Sequence, residues 1–435
     1  MFDSILVANR GEIALRIMRT AQAMGIQTIA IYVDADKDAP HVRFADKAVL
    51  LPDGGYLDID AVLDAAQKSN AGAIHPGYGF LSENSEFAKR VIKEKIIWVG
   101  PSPKVISVMG DKLKAKELAI KASVPTLPMT SDEKEVKKIG YPLLIKAAAG
   151  GGGKGMRVVT DKKDLQESLE GAKREALSGF GDERVFIERY VEKSRHIEIQ
   201  ILGDSHGNVI HLGERECSIQ RRHQKIIEEA PALDIDSQNL QNILDSCVNL
   251  CKEINYEGVG TLEFLYENKN FYFIEMNTRI QVEHPVTEMI TGFDIVKAQL
   301  RIALDLGITL NQDEISFNGH AIECRINAED PETLQPSPGV ISKMHTAGGF
   351  GIRYDSHIYG GYYVPPFYDS LLAKIITQAN TRKSAIKRMI SALDEFFVEG
   401  IKTNQPLHQD ILNDEIFIEN EHTINYLEKE FLKLK

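Results

Sequence analysis

The segment from Glu263 to Glu283 constrains the fold of this chain more than any other stretch. Apolar runs flank Asn268-Lys269-Asn270, residues that favour a tight turn, so a β-hairpin is expected. A turn centred on Lys269 sets Glu263 directly opposite Glu275, with side chains about 5 Å apart on one face. Like charges at that spacing repel, and a fold tolerates them when a cation lies between. Asn277, two residues on, points the same way. Two carboxylates and an amide oxygen make an incomplete shell of hard oxygens, suited to Mg²⁺ whose other ligands are water and phosphate. Continued alternation puts Arg279, Gln281 and Glu283 on this face and Thr278, Ile280 and Val282 on the other, until Pro285 ends the pairing. A solvated edge strand alternates in the same way, so the segment alone fits both readings.

At 435 residues with 43% hydrophobic content, the chain buries a large core and is expected to divide into about three domains. No apolar run approaches the ~20 residues of a membrane span. The start, Met1-Phe2-Asp3-Ser4, has neither a basic stretch nor a cleavable signal pattern, so no export is expected. Cys217, Cys247, Cys251 and Cys324 lack metal or disulfide spacing. Cys247 and Cys251 fall in line with Leu240, Ile243, Leu244 and Ile254, the buried stripe of a helix. A reducing, cytoplasmic setting follows. A net charge of −12 argues against a nucleic-acid surface.

The N-terminal stretch alternates strands (5–8, 28–33, 73–75, 96–99) with helices (12–24, 60–68), the rhythm of a doubly wound parallel sheet. Function in such sheets sits in loops past the strand ends. Asn9-Arg10-Gly11-Glu12 reads as a plain tight turn. In His75-Pro76-Gly77-Tyr78-Gly79 an aromatic stands between glycines, which favours a ligand-facing Tyr78. From about residue 125 the pattern becomes a small α+β module, with strands at 142–145, 156–159, 184–188, 197–202 and 209–212 and a helix at 164–177. A helix at 238–254 leads into the hairpin and another follows at 293–306. A mostly antiparallel region then begins near residue 319, and the strand 371–377 and helix 384–396 close the fold.

The glycine run Gly150 to Gly155 satisfies the spacing of a dinucleotide fingerprint, but a strand follows it where that motif opens a helix. It also lacks the Ser or Thr of a P-loop after Lys154. A glycine-rich hairpin tip remains, able to bring bare N–H groups onto phosphate oxygens. Lys146, at the end of the strand entering it, adds a point charge suited to phosphate. A floppy surface loop is the simpler alternative, but four consecutive glycines carry a large folding entropy, which favours a phosphate-covering lid.

Together these features resemble the ATP-grasp superfamily and, within it, the biotin carboxylases, over essentially the whole chain. The resemblance rests on Ala8 to Ala14, His75 to Asn84, Gly110-Asp111-Lys112, Arg221-Arg222-His223-Gln224-Lys225, Glu275 to His284 and Glu323 to Asp330, in the family's order. It implies an N-terminal domain over 1–110, an ATP-grasp domain over 111–317 with a mobile lid at about 125–192, and a mostly antiparallel C-terminal domain over 318–435. Carried over, Lys112 and Lys146 contact phosphates, with Gly151, Gly152 and Gly153 in the lid. Glu188, Arg189 and Val191 hold adenine, Leu265 packs on its ring, and His196 and His223 border the nucleotide. Glu263 and Glu275 bind Mg²⁺ or Mn²⁺, two ions in all, with Asn277 assisting. Lys225, Arg279, Gln281 and the Val282 backbone hold bicarbonate, Glu283 is the base, Arg325 faces the biotin ureido oxygen, and Tyr78 lies on the substrate side. The family pattern begins the glycines one residue earlier, at Ala149 here, and has Arg in place of Lys154.

The implied activity is ATP-dependent carboxylation of biotin on a carrier protein, through carboxyphosphate. Arg279 can fork onto two bicarbonate oxygens with Lys225 as a second cation, and Glu283 is placed to take the proton. The ordinary alternatives are an Arg279–Glu283 ion pair, an Arg325 bridge to Glu323 or Glu329, and an exposed basic turn at Arg222, His223 and Lys225. Acetyl-CoA carboxylase, in fatty acid synthesis, is the first expectation for the parent system; a pyruvate or other carboxylase, or another bicarbonate-using ATP-grasp ligase, is the alternative. A non-catalytic, nucleotide-binding regulatory role is disfavoured by the intact Glu263, Glu275, Lys225 and Glu283. No Met-Lys-Met biotinylation site is present, so a separate biotin carrier and carboxyltransferase are expected, and the resemblance implies a homodimer.

Overall fold

The computed structural model describes residues 2–52, 54–150 and 156–433. Gly151, Gly152 and Gly153, the centre of the expected lid, lie outside the described residues, as do Lys154 and Gly155. No helix among the described residues is long and apolar enough to cross a membrane.

Strands β1 (Ser4–Val7), β2 (Gln27–Tyr32), β3 (Lys47–Leu50), β4 (Ala73–His75) and β5 (Ile97–Trp98) form a parallel sheet in the order β3-β2-β1-β4-β5. Leu6 packs with Ile29, Ile31 and Ile74 in one apolar cluster, whereas Val7 and Ala30 pack with the helix Gly11–Ala23 in another. Both faces are covered, which explains why β1 is apolar at successive positions. Strand order reverses around β1 and β4, and the loops past their carboxyl ends open the crevice where such sheets bind ligands. Asn9 ties those loops together: its Nδ2 donates to Pro76 O (2.8 Å) and Tyr78 O (2.7 Å). Gly77, at φ +63°, has no room for a side chain, because a Cβ there would meet Asn9 Nδ2 at 2.8 Å. The Asn9–Glu12 loop is thus more than the plain turn expected of it.

Strands β6 (Met129–Thr130), β7 (Leu143–Ala147), β8 (Arg157–Val159) and β9 (Val185–Arg189) make a separate antiparallel sheet, ordered β6-β9-β7-β8. The helix Leu165–Phe180 buries Leu169 and Ala172 against Leu143, Ile145 and Ile187. This is the expected small α+β module, but it ends at β9. The strands expected at 197–202 and 209–212 belong instead to a larger sheet. Their Ile197, Ile199 and Ile201 need a bigger apolar partner, which the helix Ser237–Glu253 supplies through Ile243, Leu244, Cys247, Leu250 and Cys251. The cysteine stripe is core packing, as its spacing predicts.

The large sheet contains β10 (Arg195–Gly203), β11 (Val209–Arg221), β12 (Gln224–Ala230), β13 (Gly258–Glu267), β14 (Asn270–Asn277) and β15 (His320–Asn327). Beyond them β16 (Gly339–Val340) pairs β19 (Tyr363–Val364), and β17 (Lys343–His345) pairs β21 (Phe397–Glu399). Strands β18 (Ile352–Ser356) and β20 (Leu371–Ala379) complete the large sheet in the order β14-β13-β10-β11-β12-β15-β20-β18, with antiparallel neighbours throughout.

The hairpin of β13 and β14 differs in detail from expectation. Asn268 (φ 49°) and Lys269 (φ 64°) form a two-residue, left-handed turn, with Glu267 paired to Asn270. That register alone would set Glu263 against Ile274. A bulge next to Glu263 absorbs one extra residue of β14, and Glu263 faces Glu275. The expected pair forms, through a turn plus a bulge. β14 then stops at Asn277, so Arg279 to Glu283 do not continue a strand. Pro285 opens the helix His284–Thr291, where its missing N–H is of no consequence, and ends no strand pairing.

Candidate active site

A cavity of about 990 Å³ lies where the β1/β4 loops, the small sheet and the large sheet meet. It is lined by Tyr78, Lys112, Lys146, Glu188, Arg189, Val191, His196, His223, Lys225, Glu263, Leu265, Glu275, Asn277, Arg279, Gln281, Val282, Glu283 and Arg325. Every described residue given a binding or catalytic role by the resemblance therefore lines one cavity.

The charged floor is built by register. Glu275, Glu263, Glu198 and Arg215 stand directly opposite one another across β14, β13, β10 and β11, one row on one face of the sheet. Such a row of acids needs cations, and Lys225 sits among them. Its Nζ donates to Glu198 Oε2 (2.7 Å), Glu263 Oε1 (2.8 Å) and Glu283 Oε1 (2.8 Å). Burial would lower the Lys225 pKa, but Glu198, Glu263 and Glu283 overcome it and hold the ammonium well above its usual range. Burial likewise opposes charge on Glu263, yet Lys225 and His196 hold its carboxyl well below the usual range. Arg215, fully buried, donates to Glu198 (2.9 Å), Gln200 (2.7 Å), Thr287 (3.0 Å) and Thr261 (3.2 Å).

The loop after β14 returns its polar groups to the same site through side-chain contacts. Arg279 donates to Glu83 Oε2, Asn277 Oδ1 and Gln281 Oε1, each at 2.9 Å. Gln281 Nε2 donates to Glu263 Oε1 at 3.1 Å. Glu283, caught between sheet and helix, accepts from Arg325 Nη2 at 2.8 Å. The Val282 carbonyl accepts from the buried Lys374 at 2.8 Å, fixing the peptide that carries Glu283. Arg279 thus meets Glu83 rather than Glu283, and Arg325 meets Glu228 and Glu283 rather than Glu323 or Glu329. Of the basic turn, Arg222 and His223 sit at positive φ at the β11/β12 tip, while Lys225 turns inward.

At the other end, Lys112 opens the helix Lys112–Lys121 and pairs with Glu275. Lys146, last but one in β7, lies 2.5 Å from Glu188 Oε1, and Lys116 lies 2.9 Å from Glu188 Oε2. Burial opposes the charge of Glu188, but the two lysines bring its pKa down to about 2. The Glu188 side chain is therefore committed to cations. Leu265 stands opposite His196 across β13 and β10, and His196 Nε2 lies 3.4 Å from Glu263 Oε2. Tyr78 donates its hydroxyl to Glu12.

The donor set around Glu263, Glu275 and Asn277 is hard oxygen, which suits a divalent ion, and Lys112 and Lys225 beside the carboxylates supply positive charge for phosphates. Sequence reasoning missed Glu83, Lys116, Glu198, Arg215, Glu228 and Lys374. For Glu198 a signal exists: His196, Glu198 and Gln200 alternate with Ile197, Ile199 and Ile201. For Lys116, Glu228 and Lys374 only the tertiary pairing reveals the contact.

Three family models match the chain: the biotin carboxylase N-terminal domain over residues 1–106, the carbamoyl-phosphate synthase L chain ATP-binding domain over 111–313, and the biotin carboxylase C-terminal domain over 323–429. The chain is 52% identical to the biotin carboxylase of Haemophilus influenzae, covering 99% of each chain. It is 49% identical to a pyruvate carboxylase subunit of Methanothermobacter thermautotrophicus, covering 97% of this chain and 89% of the relative. Among solved structures, the biotin carboxylase domain dimer of the Hydrogenobacter thermophilus 2-oxoglutarate carboxylase, bound to MgADP, ADP and bicarbonate, matches with a TM-score of 0.96 at 48% identity, covering 99% of this chain and 98% of that one. The chain belongs to the biotin carboxylase family, ATP-grasp carbon–nitrogen ligases.

Proposed function

We propose that this enzyme carboxylates biotin on a carrier protein, using ATP and bicarbonate, as the first half-reaction of a biotin-dependent carboxylase. The observation that carries the proposal is Lys225, held by Glu198, Glu263 and Glu283 in the cavity that Arg279 and Arg325 also line.

Lys112 and Lys146 are assigned to the triphosphate, and Arg189, Val191, His196, His223 and Leu265 to the nucleoside. Glu188 acts through its backbone, because its side chain holds Lys116 and Lys146. Glu263, Glu275 and Asn277 would hold Mg²⁺ or Mn²⁺, which neutralises phosphate charge when bound. Bicarbonate and the phosphate it attacks are both anions, so Lys225 and Arg279 are needed to bring them together. Gln281 and the Val282 backbone orient bicarbonate while Glu283 takes its proton. The bicarbonate oxygen then bonds to the γ-phosphorus as the bond to ADP breaks, giving carboxyphosphate. Its collapse releases CO₂ and a phosphate that takes the ureido N–H proton. The biotin nitrogen bonds to CO₂, while Arg325 stabilises negative charge on the ureido oxygen and Tyr78 faces the same substrate.

The acceptor is proposed to be acetyl-CoA, with pyruvate and 2-oxoglutarate, the substrates of related carboxylases, as alternatives that capture of the carrier and transferase would decide. We also assign the chain a homodimeric state, a cytoplasmic location, and the three-domain division at residues 110 and 317. ATP cleavage tests the function: it should require bicarbonate and rise with free biotin, and cleavage indifferent to biotin would remove the proposal.

A further inference from the structure

Behind Arg325, outside the cavity, two buried carboxyls face each other. Glu228 of β12 stands directly opposite Glu323 of β15, both fully buried. Glu228 Oε1 accepts from Arg325 Nε at 2.6 Å. Glu228 Oε2 and both Glu323 oxygens are buried and accept from no donor among the described residues. The Arg325 backbone is fixed independently: its carbonyl accepts from Asn404 (3.0 Å) and lies 2.7 Å from His408 Nε2. The guanidinium is then aimed by two contacts, Glu228 on Nε and Glu283 on Nη2.

Two cross-strand carboxylates cannot both ionise in a dry interior without a cation for each. The charged groups around the pair are Arg325, Lys225, Glu283 and Lys374, with His284 and Glu288 on the helix packed over β12 and β15. Lys225 is taken by three other carboxylates, and Lys374 lies 3.1 Å from Glu12 and 2.8 Å from the Val282 carbonyl. Among the described residues, Arg325 alone donates to the pair, through Glu228, while Lys374, the strongest opposing charge near Glu323, spends its hydrogen bond on Val282.

We propose that Glu228 is the positioning residue of Arg325, and that Glu228 and Glu323 share a single proton so that one negative charge clamps the guanidinium from behind. Burial first, and then Glu283, push Glu228 up to about 7, and burial with Glu228 pushes Glu323 well above the carboxylate range. A doubly ionised pair would pull Arg325 back from the cavity. A singly charged pair holds it toward Glu283 and leaves the other edge of the guanidinium for the substrate.

This inference rests on the biotin-carboxylating reading, and the test keeps the two separable. ATP cleavage by the full chain is measured with and without free biotin at saturating bicarbonate across a range of pH. Wild-type enzyme shows biotin-dependent turnover whose ratio to the biotin-independent rate falls at alkaline pH. Glu228→Ala lowers that ratio about tenfold or more, and Glu228→Gln, which keeps an acceptor for Nε, recovers most of it. Glu323→Gln abolishes the alkaline fall, because Glu228 then stands ionised beside a neutral amide, with no shared proton to lose. Equal loss of both activities in Glu228→Ala, or no recovery in Glu228→Gln, overturns the positioning role. An alkaline fall that persists in Glu323→Gln overturns the shared proton. Wild-type enzyme with no biotin-dependent turnover removes the functional reading itself, before any variant is compared.

Discussion

Lys225 Nζ lies 2.8 Å from Glu283 Oε1, so the cation assigned to bicarbonate and the base assigned to its proton are in direct contact. Glu283→Gln keeps the shape and an acceptor oxygen for one of its two donors, Lys225 or Arg325, but cannot take a proton. Biotin-dependent ATP cleavage should fall by about a hundredfold or more, with far-ultraviolet circular dichroism unchanged. Steady-state kinetics on the purified variant checks this, and turnover within a few-fold of wild type would assign the base elsewhere.

Glu198 supports the same cation from beneath, and Arg215 shares it. Arg215 is fully buried, and its remaining partners, Gln200, Thr287 and Thr261, carry no charge. Glu198→Gln should therefore destabilise the fold by about 3–5 kcal/mol, the usual result of stranding one buried ion. Urea unfolding measures the loss.

The β13/β14 turn offers a change of opposite sign. Lys269 sits at φ 64°, a conformation that strains any side chain bearing a Cβ. Lys269→Gly should stabilise the protein by about 1 kcal/mol and leave ATP cleavage unaltered. A thermal-melting comparison decides it.

Acid should unfold this protein early. Burial lowers His41, His75, His211 and His408 from 6.5 to about 4, and His357 to about 3. A base whose folded pKa is depressed contributes stability that is intact above its unfolded pKa. That stability is lost as pH falls, because only the unfolded chain takes up the proton. The window is pH 6.5 down to about 4, and at pH 5 each imidazole costs up to about 2 kcal/mol. Glu214, raised to about 7 by burial, works the other way as pH rises from 4.5. Urea midpoints at pH 7 and pH 5 should differ clearly, with the lower value at pH 5.

The legible part of the fold was the part governed by period. Ile5 to Val7 and Ile29 to Ile31 announce strands covered on both faces, and Cys247 and Cys251 a buried helical stripe. The Glu263–Glu275 pairing was also legible, but two irregularities compensate there: a two-residue turn shifts the register one way and a bulge shifts it back. Alternation alone cannot report either. The same limit explains the stretch from Arg279 to Glu283, where polar residues at every second position converge through Arg279–Asn277 and Gln281–Glu263 contacts rather than along a strand. Glu228, Glu323 and Lys374 could not be placed, because each acts on a residue distant in sequence and β12, β15 and β20 become neighbours only in the folded sheet.

A bicarbonate oxygen held beside Glu283 and Lys225 is assigned the attack on the terminal phosphate of ATP. Bicarbonate carrying heavy oxygen tests it most directly, by mass spectrometry of the phosphate released during biotin carboxylation. Transfer of one heavy oxygen from bicarbonate to each phosphate is the expected result. Phosphate that takes its new oxygen from water alone would contradict the claim.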